Sequence, residues 1–391
     1  MPFYYQQGDI PKKRHIAFYK ADQKSLYREE LFSTQGFSSI YSNRYRLDMP
    51  TKVSSIAHAQ NLMQMDVWQD APLMWHLFHT GRQENSGSLH QAQTLWMENH
   101  NCTILTSSPT ENCTDFHKNA HEHLLVFIHR GDGIFLSEFG VIDFIAGDYL
   151  IIPKGCIYQF QFKSKDNRCF MVLSDTAFNI PKHFRNDMGQ LLEDAPYCER
   201  DLKLPTLHDP IDQKGNFPVY ISCKYAQGRK TYTHVWDHHP FDVVGWDGCE
   251  YPFALNIKDY APKVGAIHLP PPVHLVFATQ HFVVCNFVPR LFDFYPGAIP
   301  APYFHSNVDS DEVIFYADGD FMSRKGIEPG SISYHPMGIA HGPQPGKTEA
   351  SIGQKETHEY AVMVDTFAPL NLSKEIQAVS DPNYWRSWNE D

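Results

Sequence analysis

His305, Glu312 and His341 stand within one segment, residues 302–346, that reads PYFHSNVDSDEVIFYADGDF and later EPGSISYHPMGIAHGPQPG. Two imidazoles and one carboxylate hold a metal on one face and leave its other positions open, the donor set of non-haem Fe(II) oxygenases. The open side can take a bidentate substrate and O2. Zn(II) accepts the same donors in hydrolases, and Mn or Ni fits the same cage. No HExxH helix is present to supply a hydrolase's general base, so the donors favour Fe(II). A lone histidine in an apolar strand is more often a hydrogen-bonded core residue. Here three suitable donors recur in one segment.

To aim three such side chains at one centre, the chain must set them on neighbouring strands. Gly319, Gly330, Pro336 and Gly338 punctuate the segment as turns between short strands. Residues i and i+2 share a strand face. His305 and Asn307 are therefore expected to point into one interior, with Glu312 on the next strand and His341 on one nearby. The same punctuation fills residues 68–161, where APLMWHLF, CTILTSS, HLLVFIH, GIFLSEFG, VIDFIAGD and YLIIPKG are short apolar runs broken by turn residues. This predicts a β-sandwich or barrel. Residues 1–55 read as an extended arm with one helical piece near 25–32. Residues 170–229 read as irregular connection with a few strands, and residues 370–391 are the best helical candidate.

The metal-binding segment has a second copy. Gly330, Pro336, Gly338 and His341 follow His305 by 25, 31, 33 and 36 residues, while Gly147, Pro153, Gly155 and Tyr158 follow His121 by 26, 32, 34 and 37. Two copies of one β-unit is the economical reading, dividing the chain at 1–258 and 259–391. The first copy has His121 and His123 but no acid at the matching place, and Tyr158 replaces the last histidine. These two histidines are expected to be structural, and the first unit to hold no metal.

This duplicated pattern resembles the cupin superfamily. Its first motif is HxH, three or four residues, Glu, six residues, Gly; His305-Ser-Asn307, Glu312 and Gly319 match it with Asn replacing the second His. Its second motif, G-x5-P-x-G-x2-H, is matched from Gly330 to His341. The resemblance implies a mainly β bicupin, two jelly-roll (double-stranded β-helix) barrels with short peripheral helices.

Over most of its length the chain also resembles the short bacterial homogentisate 1,2-dioxygenases, through YREELFSTQGF, HPFDVVGWDGCEYPF, APYFHSN…SDEVIFYADG and SISYHPMGIAHGP. That implies His305, Glu312 and His341 as Fe(II) ligands and His335 as a further catalytic histidine. It implies His268, in GAIHLPPP, as the catalytic base, imidazole being able to take a proton near neutral pH. Tyr303, Phe321 and His341 would face the substrate. The implied reaction opens a dihydroxylated ring with O2, giving maleylacetoacetate from homogentisate in tyrosine and phenylalanine catabolism. The family's assembly is a trimer or hexamer.

Two residues depart from the family: Ser306 stands where an Arg follows the first ligand, and Phe321 where a Tyr contacts substrate. Arg290, Tyr303 and Lys325 are candidates to replace those contacts. Another hydroquinone- or gentisate-like acid stays open as substrate. So do a non-catalytic ligand-binding bicupin and a Zn or Mn cupin isomerase.

Composition agrees with these readings. A net charge of −12 argues against nucleic acid or an anionic membrane as the main partner. The 22 histidines raise the expectation of metal chemistry, and 14% aromatic residues suit a β-rich core. Eight cysteines without CxxC pairs suit reduced thiols. The N-terminus lacks an apolar stretch behind its basic residues and no run of 18 apolar residues occurs, which predicts a cytoplasmic protein with no membrane span.

Overall fold

The computed structural model describes residues 3–319, 321, 324 and 326–389. It is mainly β, as the apolar runs predict, with α-helix confined among these residues to Lys347–Ser351 and Lys374–Gln377. No helix among them is long and apolar enough to cross a membrane.

Three sheets stack in layers. A seven-stranded sheet runs from Gly140–Phe144 at one edge to Val53–Met63 at the other, and faces an eight-stranded sheet centred on His123–Arg130 and Arg168–Ser174. The eight-stranded sheet is buried on both faces, which explains why HLLVFIH and YLIIP are continuous apolar runs instead of alternating ones. Its outer face receives a six-stranded sheet from the second half of the chain. There Phe170 stacks on Phe315, with ring centroids 4.7 Å apart, and one hydrophobic cluster runs through both halves. The layers form two barrel-like units, the bicupin arrangement that the resemblance implies.

The units exchange edge strands. His76–Phe78 pairs with Ile332–His335 of the six-stranded sheet, and Asn371–Leu372 pairs with Gln93–Glu98 of the eight-stranded sheet. A strand from early in the chain thus completes a sheet built from its later part, and the reverse.

Two local expectations are corrected. The helical piece near 25–32 is instead the strand Arg28–Ser33, paired with Tyr41–Arg46. Buried charge holds it there: Arg44 and Arg46 bridge Glu30 to Glu138, and Arg46 also reaches Asp242. The helix expected over 370–391 shrinks to Lys374–Gln377, capped by Ser373, and a 3-10 turn at Tyr384–Trp388. Pro382 lies between them and donates no backbone hydrogen bond.

Asp311, beside Glu312 and only 1% exposed, ties the second unit together. Its carboxylate accepts from Tyr334 Oη (2.9 Å), Leu370 N (2.7 Å) and Met337 N (2.8 Å). Asp311→Ala would strand these buried donors at roughly 1–3 kcal/mol each. We expect D311A to lower the unfolding free energy by about 3 kcal/mol or more in a denaturant titration, and D311N by less. Wild-type stability in D311A would contradict this role.

Candidate metal centre

The strand Asp311–Asp318 alternates its side chains: Val313 and Phe315 join the core between the units, while Glu312, Ile314 and Tyr316 face the interior of the second unit. Register then decides the neighbours of Glu312. His335 lies opposite it on Ile332–His335, and Asp365 opposite it on Tyr360–Thr366. The loops on either side bring in His305 and His341, which pair with each other as an isolated bridge, each backbone N–H donating to the other's carbonyl at 2.9 and 2.8 Å.

The three predicted ligands come together, with one donor atom from each of His305, Glu312 and His341 lying within 4.8 Å of the others. His341 Nε2 is 3.5 Å and His305 Nε2 4.0 Å from the Glu312 carboxylate. Each histidine sets its Nδ1 against a backbone carbonyl, His305 against Tyr303 O and His341 against Ile339 O, both at 3.1 Å. Nδ1–H donated there leaves the Nε2 lone pair directed at the centre, the usual arrangement behind a metal-binding imidazole. His341 Nε2 is buried and has no hydrogen-bond partner, and the donor set is two imidazoles and a carboxylate. These residues fit a divalent metal ion.

Electrostatics supports that fit. Burial pushes the Glu312 carboxyl up, but the facing imidazoles of His305, His335 and His341 outweigh burial and hold it well below the usual carboxylate range. His335 is fully buried and its Nδ1 lies 2.6 Å from Glu312 Oε1. Burial lowers its pKa to about 4, so near neutral pH it is an uncharged donor that orients Glu312. Its ring also stacks on His341, centroids 4.6 Å apart. The geometry thus sets His335 behind the carboxylate ligand.

His268 is half-exposed, with Nδ1 3.2 Å from Asp293 and its ring 5.1 Å from that of Tyr303, which in turn stands edge-on to His305 at 6.1 Å. The row Asp293, His268, Tyr303, His305 therefore leads from the surface to the centre on the side where His305 is open to solvent. Phe321 packs edge-on against Tyr316, centroids 4.5 Å apart, as part of an apolar wall with Ile314 and Met363. Arg290 is held by Glu359 at 3.1 Å. Lys325 lies outside the described residues.

Sequence reasoning missed two acids. Asp293 orients His268. Asp365 shares the face of Glu312, and burial together with the Glu312 charge pushes its carboxyl well above the usual range. Its signal was available: one acid inside the apolar run YAVMVDTF.

The first unit repeats this geometry with different side chains. Strand pairing sets His117 opposite Tyr158, the counterpart of His305 opposite His341. Counting seven residues on from each histidine gives Leu124 for Glu312, and seven more gives Gly131 (φ 102°) for Gly319 (φ 96°). Leu173, paired with Leu124, takes the place of Asp365. The alignment of His121 with His305 is therefore corrected to His117: His121 is exposed, its Nδ1 2.8 Å from Lys224 O, and His123 accepts from Lys154 N.

Because His335 holds Glu312 by a hydrogen bond and stacks on His341, its substitution should change affinity more than fold. We expect His335→Leu to weaken divalent-metal binding about 10- to 100-fold in chelator competition, with the far-ultraviolet spectrum unchanged. His335→Gln, which keeps an N–H donor, should recover part of the loss. Unchanged affinity in H335L would remove His335 from this role.

A sequence profile of the homogentisate 1,2-dioxygenase N-terminal family matches residues 56–257. A Saccharolobus solfataricus protein described provisionally as a dioxygenase is 40% identical over 391 residues, 99% of each chain. Homogentisate 1,2-dioxygenases of Nitrobacter hamburgensis and Rhizobium rhizogenes are 26% and 27% identical over 60% and 70% of this chain, which spans 52% and 62% of their lengths. A solved cupin 2 conserved barrel domain protein from Leptotrichia buccalis superposes with a TM-score of 0.34 at 10% identity, over 78% of this chain and 100% of that one. The chain belongs to the homogentisate 1,2-dioxygenase family.

Proposed function

We propose that this protein is an Fe(II)-dependent ring-cleaving dioxygenase that converts homogentisate to maleylacetoacetate, with His305, Glu312 and His341 as the metal ligands. The carrying observation is their convergence, with each imidazole tethered through Nδ1 and the carboxylate held charged. Family membership supports the dioxygenase class. Ferrous iron bound there supplies the one-electron chemistry that lets O2 react with an electron-rich ring.

The chain's own groups do the rest. His268, oriented by Asp293, takes the proton of a ring hydroxyl as substrate binds; the Nδ1 contact to Asp293 leaves Nε2 as the acceptor. Tyr303 stands between His268 and His305 and can flank the ring. Ile314, Met363 and Phe321 form an apolar wall that limits water at the reacting face. Glu312 keeps its orientation through His335. Burial and the neighbouring Glu312 charge push the Asp365 carboxyl well above its usual range, which disfavours a second negative charge in the cavity.

One observation favours a second substrate. Arg290 is engaged with Glu359, and neither Ser306 nor Phe321 supplies a cation or phenolic hydroxyl for the substrate's carboxylate. A different hydroquinone- or gentisate-like acid is the reading this favours. Anaerobic reconstitution with Fe(II), followed by O2 uptake on a panel of hydroquinone acids, separates the two. Turnover of homogentisate supports the first reading, and turnover of another acid alone supports the second. No uptake with any dihydroxybenzene would sink the dioxygenase. His268→Gln should lower kcat about 10²- to 10⁴-fold at unchanged iron content, and undiminished kcat would exclude His268 as the base.

We also propose that the chain works in the cytoplasm as a homotrimer or hexamer. Phe294, Tyr295, Ile299, Phe304 and Val308, on the segment leading to the centre, are all more than half exposed, apolar surface of the kind that assembly covers. Light scattering after size exclusion should give three or six chain masses; a monomer would contradict it.

A further inference from the structure

The interior of the first unit keeps a cavity of about 290 Å3 at the place that corresponds to the metal centre of the second. Leu124 and Leu173 have replaced the two acids, so no facial His2Glu set can form there. Yet the cavity is not apolar. Tyr158 Oη, Thr231 Oγ1 and His90 Nε2 line it, and all three are buried without hydrogen-bond partners. Tyr158 is 1% and Thr231 7% exposed. Buried polar atoms are rarely left unsatisfied in a native protein unless water, an ion or a ligand meets them.

At one side of this cavity stand three further groups. Cys113, Asp115 and His117 alternate along the approach to the strand Phe116–Asn119, and one ligand atom from each lies within 4.8 Å of the others. Cys113 Sγ is 3.4 Å from His117 Nε2, close to the separation of a sulfur and a nitrogen sharing one tetrahedral ion with bonds of about 2.3 and 2.0 Å. The Asp115 backbone N–H donates to the same sulfur at 3.4 Å; burial still pushes the free thiol up, so the thiolate would form with the cation, which displaces its proton on binding. His90 stacks on His117, ring centroids 3.6 Å apart, and fixes that imidazole in place. Asp115, His117 and His90 all line the cavity as well.

We propose that Cys113, Asp115 and His117 form a second metal site, for a soft divalent cation of the zinc class, distinct from the His305–Glu312–His341 centre. A thiolate beside an imidazole selects such ions over the hard cations that oxygen donors prefer. Three protein donors leave one position for water or for a small ligand in the cavity. The site needs no iron and does not rest on the dioxygenase reading.

The test uses the full chain freed of metal and titrated with Co(II), which reports a sulfur ligand by thiolate-to-cobalt absorption in the near ultraviolet. We expect that absorption to appear in wild type, to vanish in Cys113→Ser, and to persist in Glu312→Gln, where the other centre is disabled and it should saturate at one Co(II) per chain. Asp115→Asn, at a partly exposed position, serves as the second variant if C113S fails to fold, and should weaken the thiolate-linked binding at least about tenfold. Absence of the absorption in wild type would overturn the site and leave Cys113 and His117 a thiol–imidazole hydrogen bond. Its survival in C113S would assign it to another cysteine and overturn the proposal equally.

Discussion

A carboxylate taken out of water is the constraint around which the second unit is built. Glu312 is 6% exposed, and an isolated buried charge of that kind is too costly to persist. It stays charged because three imidazoles face it, His335 at 2.6 Å and the two candidate ligands at 3.5 and 4.0 Å. The sheet enforces this, since register alone sets His335 and Asp365 across from it. Two acids on one face of adjacent strands repel, and burial together with the Glu312 charge pushes the Asp365 carboxyl up while the imidazoles hold Glu312 down. A divalent cation held by His305, Glu312 and His341 would add the missing positive charge where these donor atoms converge.

The duplicated unit shows the same scaffold with that constraint relaxed. The bridge survives as His117 opposite Tyr158, and the glycines that turn the strands keep their positive φ angles. Leucines occupy both acid positions, and Ile152, six residues before Tyr158, stands where His335 does. The first unit is the buried platform: its central strands are covered on both faces, and Phe127 and Phe170 meet Phe315 on the back of the strand that carries Glu312. The strand that carries Glu312 is thus pinned from behind by aromatic packing and from its N-terminus by the buried carboxylate of Asp311.

How much of this the sequence disclosed follows from range. The G-x5-P-x-G-x2-H spacing is local, fixed by turns whose glycines must adopt left-handed φ, so His305, Glu312 and His341 could be found by counting. The β character followed from short apolar runs for the same reason. The equivalence of His117 and His305 could not be counted. The first copy has five more residues between its histidine and its glycine turn than the second, and His121, which nearly preserves the spacing, offered a closer match on paper. Only strand pairing, a nonlocal property, reveals which histidine faces the interior. The strand Arg28–Ser33 misled for a related reason: what holds it extended is a cluster of buried ion pairs to Glu138 and Asp242, more than 90 residues away along the chain. Asp365 and Asp293 act through partners on other elements and carry no motif of their own.

The same logic bears on what the centre accepts. A substrate acid needs a counter-charge, and the nearest candidate by sequence, Arg290, already serves Glu359, whose burial pushes its own carboxyl up despite that partner. The approach past His268 and Tyr303 is open instead, and its rim is apolar and exposed. A ring entering there meets hydrophobic walls first and the charged centre last, which favours a substrate whose aromatic face is buried and whose carboxylate stays toward solvent or a neighbouring chain. On the proposed function, recognition of the acid group would therefore fall to the rim and to whatever covers it.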